Sequence, residues 1–276
     1  MKEAVERAVG RRVVGSRRVG GGCINEGWQV DFEDGERAFV KTRPEVAPGE
    51  YAAEAEGLEW LAEPKAVRVP RVLGVADDLL ALEWIDEGSL SATGAEELGR
   101  GIAAMHAAGA DSFGGRRPLH IGRLTLPNDP LDDWPTFYAT RRLLPLVGAV
   151  SASAAEAVEQ VCDHIRELAG PPEPPARVHG DLWGGNVLAG ADGAGWLIDP
   201  VAYGGHREVD LAMLKLFASP SARIEAAYRE VAPLAEGHEE RLGLWQLFPL
   251  LVHAALFGGH YGAQVERSAR AVMARC

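Results

Sequence analysis

The pattern of apolar and polar positions becomes strand-like at Val13. Val13–Val19, Ile24–Phe32 and Arg37–Thr42 form three short runs, separated by glycines at 20–22 and by Asp34-Gly35, a hairpin turn signal. Ahead of them, residues 2–9 read as a short amphipathic helix. Gly49–Ala62 is rich in Glu, Ala and Leu, which predicts a helix, and Pro64 and Pro70 bound the connection after it. Two more strands are expected at Arg71–Val75 and Leu79–Ile85. Beyond Gly88 the period turns helical, with helices expected over Ala95–Ala108, Trp134–Leu144 and Ser153–Leu168. The run PPEPP at 171–175 stops the last of these. A hairpin over 187–199 follows, turning at Asp192-Gly193, and helices return from Asp210. The layout is α+β with two lobes, a small five-stranded antiparallel lobe with one helix (1–87) and a larger helical lobe (88–276). That is a protein-kinase-like arrangement with a hinge near 83–88.

Composition narrows the class. A chain of 276 residues with 47% hydrophobic and 25% charged residues is globular, not disordered. Its formal net charge of −12 argues against a nucleic-acid surface, which needs a basic face. The most apolar stretch, Leu244–Phe257, is too short to span a bilayer and contains Gln246, Pro249 and His253, so no membrane role is expected. Cys23, Cys162 and Cys276 are odd in number and widely spaced, which fits a reducing, cytoplasmic setting rather than a disulfide framework. Basic charge is carried by arginine almost throughout, and lysine occurs only at positions 2, 41, 65 and 215.

The strongest chemical signal is HGDLWGGN at 179–186, followed by Ile198-Asp199-Pro200. Phosphoryl transfer from ATP needs a carboxylate at the acceptor hydroxyl and oxygen ligands for Mg²⁺ at the phosphates. A tight loop with Asp181 and Asn186 supplies the first carboxylate and one ligand. The hairpin then returns Asp199 to the same face as the second ligand. The competing reading makes these residues ordinary turn formers, but their spacing on both sides of a hairpin favours chemistry. Gly20, Gly21 and Gly22 lie between the first two strands, where backbone N–H groups can approach phosphates. The same cluster also fits a plain flexible turn. Lys41 ends the apolar run of the third strand and suits the α- and β-phosphates, with Glu54 or Glu56 on the next helix to hold it. Glu83, Trp84 and Ile85 read as the strand entering the hinge, with the backbone of Glu83 and Ile85 toward adenine, or as a plain buried strand. Cys23, beside several glycine N–H groups, is either a reactive thiol or a small residue tolerated in a turn.

These motifs resemble the fructosamine kinase (ketosamine-3-kinase) family, a relative of the aminoglycoside phosphotransferases. The likeness runs through GGGCINEG at 20–27, YAAEAEGL at 51–58, DWPTFYATRRL at 133–143, HGDLWGGN, GHREVDLAMLKLF at 205–217 and RLGLWQLFPLLVHAALFGGHY at 241–261. It implies that Glu54 is the partner of Lys41. It implies phosphorylation of the C3 hydroxyl of ketosamines, after which the sugar adduct falls apart, a deglycation. Acceptor-side candidates are His253 and Tyr261, which could equally be helix packing. In two places the chain departs from the family pattern, a shorter stretch between Gly122 and Trp134 and Val252 in place of an asparagine before His253. Both bear on the acceptor, not on ATP. Only about ten residues separate Asp199 from the helix near Asp210, too few for a peptide-docking activation loop, so a small amine-bearing sugar is the expected partner. The alternatives are an aminoglycoside or amino-alcohol kinase of the same superfamily, and an inactive nucleotide-binding protein. The expected form is a monomer, or a homodimer linked through oxidised Cys23.

Overall fold

The computed structural model describes residues 1–20, 25–217 and 222–275. Helix α1 (Lys2–Val9) precedes β1 (Val13–Val19), β2 (Glu26–Phe32) and β3 (Arg37–Thr42). Helix α2 (Glu50–Ala62) follows, then β4 (Val72–Ala76) and β5 (Leu79–Glu83). These strands form one antiparallel sheet in the order β1-β2-β3-β5-β4. Gly35 takes the positive φ of 84° that the Asp34-Gly35 turn requires. Val5 of α1 packs with Val13, Val30, Phe32, Val40 and Ala81 in a core of its own under the sheet.

The larger lobe opens with α3 (Ala92–Ala107), capped by the Ser91 hydroxyl, which accepts the Gly94 N–H at 2.9 Å. A small hairpin, β6 (Leu119–Ile121) and β7 (Leu124–Leu126), comes next, where the pattern predicted no element. The helix expected over Trp134–Leu144 is one turn of α-helix, α4 (Trp134–Phe137), then a π-helical stretch Tyr138–Leu143 and a 3₁₀ stretch Leu144–Ala149. Pro145 has no N–H to give to the Arg141 carbonyl, and the Arg142 guanidinium donates to it instead at 3.1 Å. The helix expected over Ser153–Leu168 is split into α5 (Ala152–Asp163) and α6 (Ile165–Leu168) at His164, whose ring meets the Gln160 carbonyl at 3.0 Å.

Strands β8 (Ala176–Val178), β9 (Val187–Ala189), β10 (Gly195–Leu197) and β11 (Tyr203–Gly205) then make two small pairs, β9 with β10 and β8 with β11. Helices α7 (Glu208–Leu216), α8 (Ala222–Val231), α9 (His238–Trp245), α10 (Leu247–Phe257) and α11 (Tyr261–Met273) complete the chain. The apolar run 244–257 is the buried helical segment expected, broken by a cap at Gln246. No helix among the described residues is long and apolar enough to cross a membrane. One core fills the larger lobe around Trp134, Tyr138, Leu143, Trp245 and Val265. Another joins the lobes, packing Tyr51, Leu58 and Leu61 of α2 against Leu98 and Ile102 of α3 and Leu182, Leu197 and Leu211. Helix α2 is thereby seated on both lobes.

Candidate active site

The lobes enclose a cleft of about 1360 Å³. Lys41, paired with Leu80 of β5, enters it from β3 and is 3% exposed. Its Nζ lies 2.6 Å from Glu54 Oε1 and 2.6 Å from Asp199 Oδ1. Burial alone would discharge the ammonium, but the two carboxylates outweigh it and hold the Lys41 pKa above its ordinary value. Glu56, two residues on, faces the other way and meets Arg117 at 2.5 and 2.7 Å. Two further arginines clasp α2, Arg43 through Glu50 with the Gly122 carbonyl at 3.4 Å, and Arg177 through the Trp60 carbonyl with Glu63 at 2.8 Å. The clasp fixes Glu54 opposite Lys41.

The loop after β8 carries Asp181. Gly180 has φ 82°, and a Cβ there would stand 2.1 Å from the Val201 carbonyl, so only glycine fits. Buried Asp210 accepts the N–H groups of His179 and Gly180 at 2.7 and 2.9 Å, and its carboxylate also meets His106 Nε2 at 3.1 Å. The far nitrogen of His106 meets the Tyr228 hydroxyl at 2.9 Å. His179 accepts the Asp181 N–H at Nδ1 and therefore donates from Nε2 to the Ile198 carbonyl at 3.0 Å, tying this loop to the strand that delivers Asp199. Burial lowers the His179 pKa, which keeps the ring neutral for that role.

Asn186 Nδ2 donates to the Asp181 carbonyl at 2.8 Å and to Asp181 Oδ2 at 2.9 Å. That fixes the amide orientation and leaves Asn186 Oδ1 for another partner. Asp199 sits at φ 55°, a conformation costly for a side-chain-bearing residue, and spends Oδ1 on Lys41 while Oδ2 remains. Two uncommitted hard oxygens beside a buried ammonium suit a divalent cation with phosphate oxygens. Burial raises the Asp181 pKa to about 7, with the Asn186 hydrogen bond opposing and the charges of Asp199 and Asp210 adding to it. The arrangement can accept a proton from a hydroxyl and place it beside a metal-bound polyphosphate.

The other expected residues fare variously. Gly20 is exposed at the end of β1, while Gly21, Gly22 and Cys23 lie outside the described residues. Glu83, Trp84 and Ile85 do not line the cleft. The Glu83 N–H is spent on the Arg71 carbonyl at 2.8 Å and its side chain on Arg71, while the Trp84 indole turns to Asp86 under the Arg37 guanidinium. Glu83 and Trp84 instead border a small outer recess with Arg11, Arg37 and Arg71. The Glu83 N–H is thus spent inside the sheet, which leaves the Glu83 carbonyl and the Ile85 backbone as the hinge groups of the expected adenine contact. His253 and Tyr261 do line the cleft, their rings 5.0 Å apart. His253 donates from Nδ1 to the Pro249 carbonyl at 2.8 Å when neutral, which leaves Nε2 as an acceptor.

Sequence patterning points to neither Asp210 nor Tyr228, and it reads His106 as a structural or surface residue of a helix, without metal-ligand spacing. Asp210 stands in the quoted GHREVDLAM motif, but there it reads as an acidic residue in the first turn of a helix. A separate cluster, Glu173, His206 and Glu208, has metal-ligand proximity. Its carboxylates are already held by Arg207 and Arg241, each through a two-pronged pair at 2.7 to 2.9 Å. It is a structural network, not an open cation site.

Comparison with known proteins agrees with the geometry. The fructosamine kinase family profile matches residues 1–275. A probable ketoamine kinase of Synechocystis sp. is 35% identical over 265 residues, covering 93% of this chain and 89% of the relative. A crystal structure from Thermobifida fusca, assigned as a fructosamine-3-kinase, superposes with TM-score 0.92 at 44% identity, covering 99% of this chain and 98% of that one. A macrolide 2'-phosphotransferase shares the fold at TM-score 0.66 and 17% identity, over 97% of this chain and 95% of its own. The chain belongs to the fructosamine kinase family and is an ATP-dependent phosphotransferase acting on an alcohol group.

Proposed function

We propose that the protein transfers the γ-phosphoryl group of ATP to the C3 hydroxyl of a ketosamine, a fructosamine or ribulosamine bearing a small amine. The observation that carries the reading is the pair Asp181–Asn186. A half-buried carboxylate is oriented by an amide whose own oxygen points elsewhere, at the floor of a cleft that also holds Lys41 and Asp199.

Asp181 takes the hydroxyl proton as the oxygen attacks, the role of a positioned general base. Lys41, kept charged and in place by Glu54, holds the α- and β-phosphates. Asn186 Oδ1 and Asp199 Oδ2 would hold Mg²⁺, which supplies neutralisation of the phosphate charge. The glycine-rich sequence at 20–22 is the candidate for backbone contact with the phosphates. Ile85 at the hinge, beyond the residues that line the cleft, is the candidate for adenine, because its N–H has no hydrogen-bond partner among the described residues. His253 Nε2 and the Tyr261 hydroxyl face the acceptor. A monomer is the expected working form, and the lobes divide near 87. The half-buried free thiol of Cys162 suits a reducing, cytoplasmic setting.

Once C3 carries phosphate, loss of a C1 proton gives an enaminol that expels inorganic phosphate from C3, and water then hydrolyses the resulting imine to the free amine and a 3-deoxy dicarbonyl sugar, so the reaction serves deglycation. The test is ATP consumption with ribulose-lysine, fructose-lysine, fructose, kanamycin and choline. The reading expects the ketosamines to dominate. Preference for kanamycin or choline would support the aminoglycoside or amino-alcohol alternative.

A further inference from the structure

Among the described residues, the exposed large apolar side chains include two aromatics, Trp183 and Phe257. Both line the same cleft, Trp183 two residues beyond Asp181 and Phe257 at the end of α10. They are joined by a chain of rings. Trp183 meets Phe217 at 6.0 Å, Phe217 meets His253 at 4.9 Å, and His253 meets Phe257 at 5.5 Å and Tyr261 at 5.0 Å. Trp183 is held in place from beneath, because Gly185 leaves no room for any side chain where the indole lies. These rings make an aromatic shelf that starts at the catalytic loop, with Trp183, His253, Phe257 and Tyr261 lining the cleft and Phe217, outside the lining, bridging Trp183 to His253.

The charges on the cleft walls sharpen what the shelf can bind. Lys41, Arg43, Arg117 and Arg177 are each committed to a glutamate. Arg116 and Asp111, without an ion-pair partner among the described residues, belong to the 108–117 loop and not to the chain of rings. The rings themselves bring neither guanidinium nor carboxylate, so a cationic amine lying on them meets π faces.

We propose that this shelf is the subsite for the amine half of the acceptor, and that it selects ketosamines whose protonated amine carries a flat apolar ring over those with a short aliphatic substituent. The inference rests on the ketosamine reading above. The sugar hydroxyl lies at Asp181, the ammonium passes over Trp183, and the ring of the substituent packs against Phe257 and Tyr261. Phe257 sets the preference because it is the most exposed ring of the shelf, at 53%, and has surface to lose on binding.

The test compares kcat/KM for two ketosamines of the same sugar, one made from benzylamine and one from methylamine. The wild type should favour the benzylamine adduct by about tenfold, the scale of one good aromatic contact with its buried area. Phe257→Ala should bring the ratio close to one, and Phe257→Trp should keep it. Phe257 caps a helix at the surface, so neither variant threatens the fold. Equal kcat/KM for the two adducts in the wild type would overturn the shelf and leave the ketosamine reading standing. A preference unchanged in Phe257→Ala would equally overturn the assignment. Turnover of neither adduct would overturn both readings together.

Discussion

Asp210 accepts the backbone N–H of His179 at 2.7 Å, so the loop that carries Asp181 hangs from a buried carboxylate on α7. The same carboxylate takes the Gly180 N–H and the ring of His106. Three donors converge on a group only 1% exposed, and no water can replace it.

Asp210→Ala is therefore expected to destabilise the fold by about 2–4 kcal/mol, since it strands buried donors. Urea unfolding checks this. A midpoint shift below that corresponding to ~0.5 kcal/mol would show that the loop is held by other contacts.

Lys41 should depend on Glu54 and not on Glu56. The Lys41–Glu54 pair is nearly enclosed, with side chains 4% and 15% exposed, whereas Glu56 and Arg117 are 57% and 49% exposed. Without Glu54 the enclosed Lys41 ammonium keeps Asp199 as its sole carboxylate and is no longer held between the two, so Glu54→Ala should lower kcat/KM by roughly 10²-fold or more. Glu56→Ala removes an exposed pair worth at most about 1 kcal/mol, less than roughly fivefold. Steady-state kinetics of the two variants decide it, and the reverse ranking would refute the pairing as functional.

The raised pKa of Asp181, about 7, has a consequence for stability. Between the ordinary carboxylate range near pH ~4 and pH ~7 the folded protein holds a proton at Asp181 that the unfolded chain has released. More protons bound in the folded state means that this group's contribution to stability falls as pH rises through that window. Asp181→Asn abolishes the titration. The variant's gain in Tm over wild type, measured without nucleotide or metal, should therefore be larger at pH 8 than at pH 5. A gain independent of pH would place the Asp181 pKa at its ordinary value.

The small lobe was legible because its signals are local. The strand runs, the Asp34-Gly35 turn and the helix rich in Glu and Ala each occupy neighbouring residues. HGDLWGGN and the later Asp199 were legible for the same reason, a fixed spacing across one hairpin. What escaped depends on partners far away in sequence. Strands β6 and β7 have three residues each, too short to show a period, and their turn meets Arg43, a partner far away in sequence, through the Gly122 carbonyl. The π-helical turn at Tyr138–Leu143 follows from Pro145 together with full burial of Arg142 between the rings of Phe137 and Tyr203. Asp210 looks like any acidic residue in a first helical turn until the chain folds His106 and the catalytic loop around it.

In the proposed reaction Asp181 drives phosphoryl transfer to a ketosamine hydroxyl. The most direct measurement is ³¹P NMR of a reaction holding the protein, Mg-ATP and a fructosamine, run in parallel with Asp181→Asn. The account predicts ADP together with a new phosphate-ester signal assigned to the sugar C3 oxygen. It predicts that this signal grows ~10²–10⁴-fold more slowly in the variant, the usual scale for a positioned base, while ATP affinity stays within about twofold. Ester formation at an equal rate in both proteins, or ATP consumed with no sugar ester formed, would contradict it.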